Sequence, residues 1–213
     1  MSTRTVVHLM RHGEVHNPAG LLYGRLPGYH LSDRGRRMAD VVADDLADHD
    51  VTLVIASPLE RAQETAVPIA VSHGLAIHTD PRLMEAGNAF EGKKFGVGDG
   101  SLRHPSLWPK LINPFRPSWG EPYAQIAARM LAVVDRARDQ AAGHEAVLVS
   151  HQSPVWIARL ALERRRLWHD PRRRQCSLAS LTSLTYDDNR LFTVTFSEPA
   201  AALLPGASPV AGA

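Results

Sequence analysis

The chain holds a single cysteine, Cys176, which excludes an intrachain disulfide and leaves stability to a buried core. That usage fits a reducing compartment. Long hydrophobic runs are missing too. The apolar stretch that follows Met1–Thr5 extends only about five residues, too short for a signal peptide or a membrane span. A cytoplasmic location with no membrane partner is expected. Excess charge of one sign is also scarce: the formal net charge is +2, too small for a general polyanion binder. Basic residues do collect at "ERRRLWHDPRRRQ", 163–175, but no aromatic stacking platform accompanies them. A solvated helix end and loop is expected there, and no nucleic-acid partner. The eleven histidines show none of the close ligand spacings of metal sites, and Cys176 lacks a cysteine partner. Neither a metal nor a cofactor is expected. There is no internal repeat.

What the chain has is an ordinary globular composition, 44% hydrophobic and 22% charged over 213 residues, enough to bury a substantial core. Buried strand patterns at 5–10, 51–57, "AIHTD" (76–80) and 145–151 alternate with helical patterns. The helix at 32–50 has Ser32 as its N-cap, and the one at 58–74 opens on Pro58 and ends at Gly74, with a kink or early break expected at Pro68. Two further helical patterns follow at 121–143 and 153–166, then two late strands. The expected fold is a three-layer α/β/α sandwich with a mainly parallel central sheet. Residues 1–198 read as one domain. Within it, about 86–120 is irregular, rich in Gly, Pro, basic and aromatic residues, as lids and substrate loops are. The Ala/Pro/Gly-rich stretch 199–213 reads as a loose tail.

In such sheets ligands bind beyond the carboxyl ends of the strands. There the sequence places Arg11 and His12 after the first strand, Arg61 shortly after the second, Glu85 after "AIHTD", and His151 after "VLVS". Two arginines offer forked donors suited to a phosphoryl group. Their fixed charge disfavours imidazolium, so His12 tends to the neutral, nucleophilic form. A carboxyl group opposite would protonate a departing alkoxide. These parts suffice for phosphoryl transfer through a phosphohistidine without a metal. Taken singly, each has a plainer reading: a histidine at a strand end is unremarkable, Arg61 suits a solvated helix, and Glu85 suits a cap or a lysine partner. His8, which alternation points into the interior, suits core packing or support of a neighbour.

The motifs "LMRHGEVHN", "SPLERAQETA", "LMEAGNAFEG" and "VLVSH", in this order, resemble the histidine phosphatase superfamily, which includes cofactor-dependent phosphoglycerate mutases and many small phosphatases. "YGRLPGYHLSDRGRRMA" is similar to that family's first loop and helix. The resemblance spans about residues 5–160 and implies a phosphoglycerate mutase-like fold. It makes His12 the phosphorylated nucleophile and Arg11, Asn17, Arg61 and His151 phosphate ligands, with His151 also catalytic and Glu85 the proton donor. One departure stands out: the family usually has glycine after the second histidine, and here Gln152 follows His151. Gln152, and His16 in the first loop, are candidate substrate contacts.

Three functions fit. Water attacks the phosphohistidine, giving a phosphomonoester hydrolase acting on a small phosphorylated metabolite. Alternatively the phosphoryl group returns to another hydroxyl, as in a phosphoglycerate mutase. In the third the pocket only binds a phosphorylated ligand. The last requires a missing nucleophile or acid, and both are present. Mutases of the family have a longer insertion with paired arginines gripping the substrate carboxylate. Here the insertion has no adjacent arginine pair and carries Trp108, Phe115 and Trp119 instead. Hydrolysis is the favoured reading. Among the basic residues of this segment, Lys93, Lys94, Arg103, His104, Lys110 and Arg116 are possible contacts to the rest of a substrate, with a solvated loop as the default for each.

Overall fold

Alternation along one strand organises the molecule. In β4 (Glu145–Ser150), Ala146 and Leu148 face one apolar layer while Val147 and Val149 face another, so the whole strand reads as a hydrophobic run. A computed structural model describes residues 3–88, 91–93, 120–170 and 173–207. Before β4 come β1 (Arg4–Arg11), α1 (Asp33–Asp45), β2 (Val51–Ala56), α2 (Glu60–Ser72), β3 (Ile77–Thr79) and α3 (Tyr123–Gln140). After it come α4 (Gln152–Leu162), β5 (Leu181–Asp187) and β6 (Arg190–Ser197).

The six strands form one sheet in the order β3-β2-β4-β1-β5-β6. β1 to β4 run parallel, and β5 and β6 are antiparallel additions at the β1 edge. Helices α1 and α2 cover one face through Met38, Val42, Ala62, Ala66 and Ile69. Helices α3 and α4 cover the other through Ile126, Met130, Val133, Val134 and Ile157. This is the expected three-layer α/β/α sandwich around a mainly parallel sheet. Leu148, fully buried in the central strand, illustrates what such a layer contributes: burying a leucine side chain is worth about 1.5–3 kcal/mol.

Local signals were obeyed at two helix ends. Ser32 caps α1, its hydroxyl oxygen accepting from Gly35 N–H at 3.0 Å. Gly74 closes the α2 end with φ +64°, a left-handed conformation that favours glycine. Pro68 neither ends nor interrupts α2, contrary to the expected break. The helix holds through it because Ala62, Ala66, Ile69 and Ala70 are packed on the sheet, and tertiary burial outweighs one lost backbone bond.

The loose-tail expectation for 199–213 fails over 199–207. Ala200 is buried, and Leu203, Leu204 and Ala207 pack against the α1–α2 layer. The apolar residues within the Ala/Pro/Gly pattern supply the burial that ordering needs. Residues 208–213 lie outside the described residues, as does most of the 86–120 segment, including Trp108, Phe115 and Trp119.

His8 is buried as expected, with ring nitrogens at 2.8 Å from Ser183 Oγ and 2.7 Å from Glu145 Oε2. His49 joins the same carboxylate oxygen at 2.8 Å. This network lies toward the amino ends of β1 and β4, away from the edge described next.

Candidate active site

The order β2-β4-β1 brings the carboxyl ends of three parallel strands side by side. Main-chain bonds lock their level: His12 N–H donates to Ser150 O at 3.1 Å, and Ser57 N–H to Val149 O at 2.9 Å. His12 and His151 therefore meet, with ring centroids 5.1 Å apart. Arg61, in the first turn of α2, joins them, its Nε donating to His12 Nε2 at 3.3 Å. Arg11, His12, Arg61, Glu85 and His151 are all buried.

His12 is oriented by its own loop. Its Nδ1 lies 2.7 Å from Gly13 O, an atom that only accepts, so Nδ1 carries the proton and Nε2 the lone pair. Burial, then the charges of Arg61 and Arg11, hold its pKa well below the ordinary histidine value, against the opposing pull of the Gly13 carbonyl. His151 is driven down by burial first and then by Arg61. Its Nε2 lies 2.8 Å from Ser57 Oγ. Both rings are neutral at pH 7.

Arg61 is braced on several sides. Its Nη2 donates to Gly24 O at 2.6 Å, and its guanidinium carbon lies 4.8 Å from the centre of the Tyr23 ring. Tyr29 stacks on Tyr23 at 5.0 Å. Thr65 accepts from Gly13 N–H at 3.1 Å and donates to Arg61 O at 2.6 Å, linking the nucleophile's loop to the arginine's helix. Arg11 donates from Nη1 to Cys176 O at 2.8 Å.

Glu85 follows the short 3₁₀ turn Pro81–Leu83, which Ser150 Oγ anchors through Leu83 O at 2.7 Å. Its Oε1 accepts from Ala86 N–H at 2.8 Å, and Arg25 Nε donates to its main-chain oxygen at 2.7 Å. Burial raises its pKa above the ordinary carboxylate value despite the arginines nearby. A carboxyl group that keeps its proton is a proton donor.

Two glycines set how closely this apparatus can assemble. A methyl group on Gly35 would lie 2.0 Å from Glu14 O, and one on Gly13 would lie 2.5 Å from Gly35 O. Only bare backbone lets the start of α1 rest on the loop that carries the Gly13 carbonyl.

The other expected residues are placed differently. Asn17 turns its amide onto its own loop, Nδ2 donating to Leu21 O at 2.8 Å and Oδ1 accepting from Leu21 N–H at 3.1 Å. It shapes the loop above the site. His16 is exposed. Gln152 opens α4 half-buried, with Nε2 3.5 Å from Cys176 O. Lys93 is exposed, while Lys94, Arg103, His104, Lys110 and Arg116 lie outside the described residues.

Sequence reasoning missed Tyr23, Arg25, Ser57 and Thr65, and it misread Arg174. The 163–175 cluster is solvated at Arg164, Arg165, Arg166 and Arg173, but Arg174 is half-buried and its charge acts on Glu85 and Arg11. Ser57 at a strand end was the one legible signal among them.

Four side-chain atoms of these residues are buried without a hydrogen-bond partner among the described residues: Arg11 Nε, Arg61 Nη1, Glu85 Oε2 and His151 Nδ1. Buried polar atoms are normally satisfied, so this grouping fits a polar, multiply accepting ligand. No His/Cys/Asp/Glu group of metal-binding geometry occurs at this edge among the described residues; the single such cluster, His8, His49 and Glu145, is the distant network.

Comparison with known proteins agrees with this architecture. Residues 7–199 match the histidine phosphatase superfamily (branch 1). The uncharacterized protein Rv0525 of Mycobacterium tuberculosis (strain ATCC 25618 / H37Rv) is 63% identical over 201 residues, covering 94% of this chain and 100% of that one. A probable phosphoglycerate mutase, GpmB of Yersinia pestis (strain Pestoides F), is 34% identical over 151 residues, 68% of each chain. Among solved structures, the mycobacterial glucosyl-3-phosphoglycerate phosphatase Rv2419c superposes with a TM-score of 0.71 at 24% identity, over 93% of this chain and 98% of that one.

Proposed function

Given that the chain belongs to the histidine phosphatase superfamily, we propose that it is a phosphomonoester hydrolase for a small phosphorylated metabolite, working through a phosphohistidine on His12. The observation that supports this reading is that Arg11 Nε, Arg61 Nη1, His151 Nδ1 and Glu85 Oε2 are buried without a hydrogen-bond partner among the described residues, while His12, whose Nε2 carries the lone pair, is grouped with Arg61 and His151 at the same sheet edge.

The phosphoryl group sits against Nε2, and Arg61, whose Nε holds that lone pair 3.3 Å away, turns its donors to the phosphoryl oxygens. With Ser57 Oγ donating to His151 Nε2, the His151 proton is on Nδ1 and also meets the phosphoryl group. Nε2 attacks phosphorus as the ester oxygen leaves, and Glu85 gives that oxygen its proton. Arg11, Arg61 and His151 stabilise the charge on the transferring group. Water then attacks phosphorus, Glu85 recovers the proton, and inorganic phosphate departs with His12 neutral again.

Transfer to a hydroxyl acceptor, in place of water, uses the same first half. The 34%-identical relative named as a probable phosphoglycerate mutase keeps that reading in play. One experiment separates them. Acid-labile, base-stable phosphoenzyme should appear in rapid quench on wild type and be absent in His12→Ala, and phosphate release should exceed isomer formation with 3-phosphoglycerate. Interconversion outrunning phosphate release establishes the transferase instead, and normal turnover by His12→Ala refutes both.

A further inference from the structure

Away from the edge that carries the phosphate chemistry, one face of the sheet changes character. Residues of β1 and β4 turned toward the α1–α2 layer are apolar at Met10, Val147 and Val149, then polar at His8 and Glu145. Register explains why these two meet. His8 pairs with Val147, Glu145 lies two residues back on the same face, and Ser183 of β5 stands opposite His8. His49, in the loop between α1 and β2, completes the group, its N–H held by Leu46 O at 2.9 Å. Glu145 N–H donates to Asp50 O at 2.9 Å, which ties that loop to β4.

His8 Nε2 and His49 Nδ1 approach one carboxylate oxygen, Glu145 Oε2, at 2.7 and 2.8 Å. The three groups offer ligand atoms within 4.8 Å of one another. Two imidazoles and a carboxylate are a donor set for zinc and its first-row neighbours, whereas hard cations take oxygen ligands. Ser183 Oγ lies 2.8 Å from His8 Nδ1. When a metal takes Nε2, that hydroxyl accepts from Nδ1–H and fixes the ring, the support that metal-binding histidines normally have. Side-chain exposure rises from 5% at His8 through 20% at Glu145 to 42% at His49. An ion therefore meets one interior ligand and enters from an open side, where water supplies the fourth position. Bonds of about 2.0–2.1 Å set tetrahedral ligands about 3.3 Å apart, so the carboxylate must withdraw by about half an ångström. The partly exposed Glu145 side chain accommodates that shift.

We propose that His8, His49 and Glu145 bind one divalent transition-metal ion of the zinc class, with Ser183 as the residue that positions His8. The site is structural. It joins the α1–β2 loop to β1 and β4 at the end opposite the phosphate chemistry, and it does not depend on whether the protein hydrolyses or transfers a phosphoryl group. Without the ion, the hydrogen bonds to Oε2 hold the same group together. Its ligands come from three separate segments, so no close spacing along the chain announces them.

The test is metal binding by the full chain after treatment with a chelator, with zinc titrated calorimetrically and cobalt(II) followed by its visible absorption. Wild type should bind one zinc at this site with a Kd of about 1 µM or below, and cobalt(II) should give the intense absorption of a four-coordinate ion. Zinc at about 100 times Kd should raise Tm by about 5–10 °C. His49→Ala and Glu145→Gln lie on the open side and leave buried His8 in place. Each should weaken binding more than about 100-fold and abolish the Tm rise, measured against its own metal-free form, and Ser183→Ala should weaken binding about 10–100-fold. His12→Ala should keep both the ion and the Tm rise, which separates this site from the histidine pair at the opposite edge. No saturable binding by wild type below about 100 µM, binding unchanged in His49→Ala and Glu145→Gln, or binding lost in His12→Ala overturns the site. Unchanged affinity in Ser183→Ala overturns the positioning role, and magnesium or calcium held as tightly as zinc overturns the choice of ion.

Discussion

Gly35→Ala is the smallest change that should disable the site from outside it. The new methyl carbon would begin 2.0 Å from Glu14 O, whereas non-bonded carbon and oxygen need more than about 3 Å, so helix or loop must yield by about 1 Å. Both partners are backbone and neither swings away. Ser32 also bridges them, its N–H to Glu14 O at 2.9 Å and its hydroxyl to Glu14 Oε2 at 2.5 Å. Overpacking of this kind costs up to about 3 kcal/mol, and alanine returns about 1 kcal/mol of helix propensity, leaving a net loss of about 2 kcal/mol. For a domain of this size that lowers Tm by about 4–8 °C. The displaced loop includes Gly13 O, which orients His12, and an ångström of misplacement at a nucleophile costs about 100-fold in kcat.

Gly74→Ala is the matched comparison. It imposes a left-handed alanine at φ +64° but meets nothing within 4 Å, so it should cost about 1–2 kcal/mol of stability and leave kcat alone. Thermal unfolding and turnover of an aryl phosphate, measured on both variants well below Tm, decide the matter. Gly35→Ala with wild-type kcat, or with no larger an activity loss than Gly74→Ala, refutes the argument that this contact aims His12.

The pH profile should be bounded by groups moved in opposite directions. His12 and His151 stay neutral below the ordinary histidine value and Glu85 stays protonated above the ordinary carboxylate value, so kcat/KM should fall on the alkaline side as Glu85 loses its proton. Glu85→Gln should flatten that limb and slow alkyl phosphates by about 10²–10⁴-fold, aryl phosphates far less because their leaving groups need no acid; an unchanged profile excludes Glu85 as the donor. At the opposite end of the sheet, hydrogen bonds from His8, then His49, pull the Glu145 carboxyl down to about 2. Its folded value is below the unfolded one, so its stabilisation is present above the ordinary carboxylate range and lost as pH falls toward 2. Glu145→Gln should therefore cost about 1.5–3 kcal/mol at pH 7 by denaturant unfolding, with the gap to wild type closing in acid; a gap that does not change with pH refutes the assignment.

What was legible in the chain was whatever strand topology dictates. Once "TVVHLM", "VTLVIA" and "AVLVS" are parallel neighbours, the residues after them must share an edge, and Arg11, His12, Arg61 and His151 do. Residues whose role depends on which way a loop turns were not legible. Asn17 has the right position near the site, but its amide closes a local turn on Leu21, a competition between side chain and backbone that spacing does not reveal. Ala200 and Leu203 were hidden by a composition typical of loose termini, although a few apolar side chains suffice to order a short segment. Arg174 is the sharpest case. Within "PRRRQ" nothing distinguishes it from Arg173, which is exposed. The difference is made by His169, Tyr123 and Trp156, brought from three segments to form a single bracket. Phosphate chemistry is carried by strand ends and can be read from order alone. Which arginine of a basic loop turns inward is selected by tertiary contacts, and those are not visible in the order of residues along the chain.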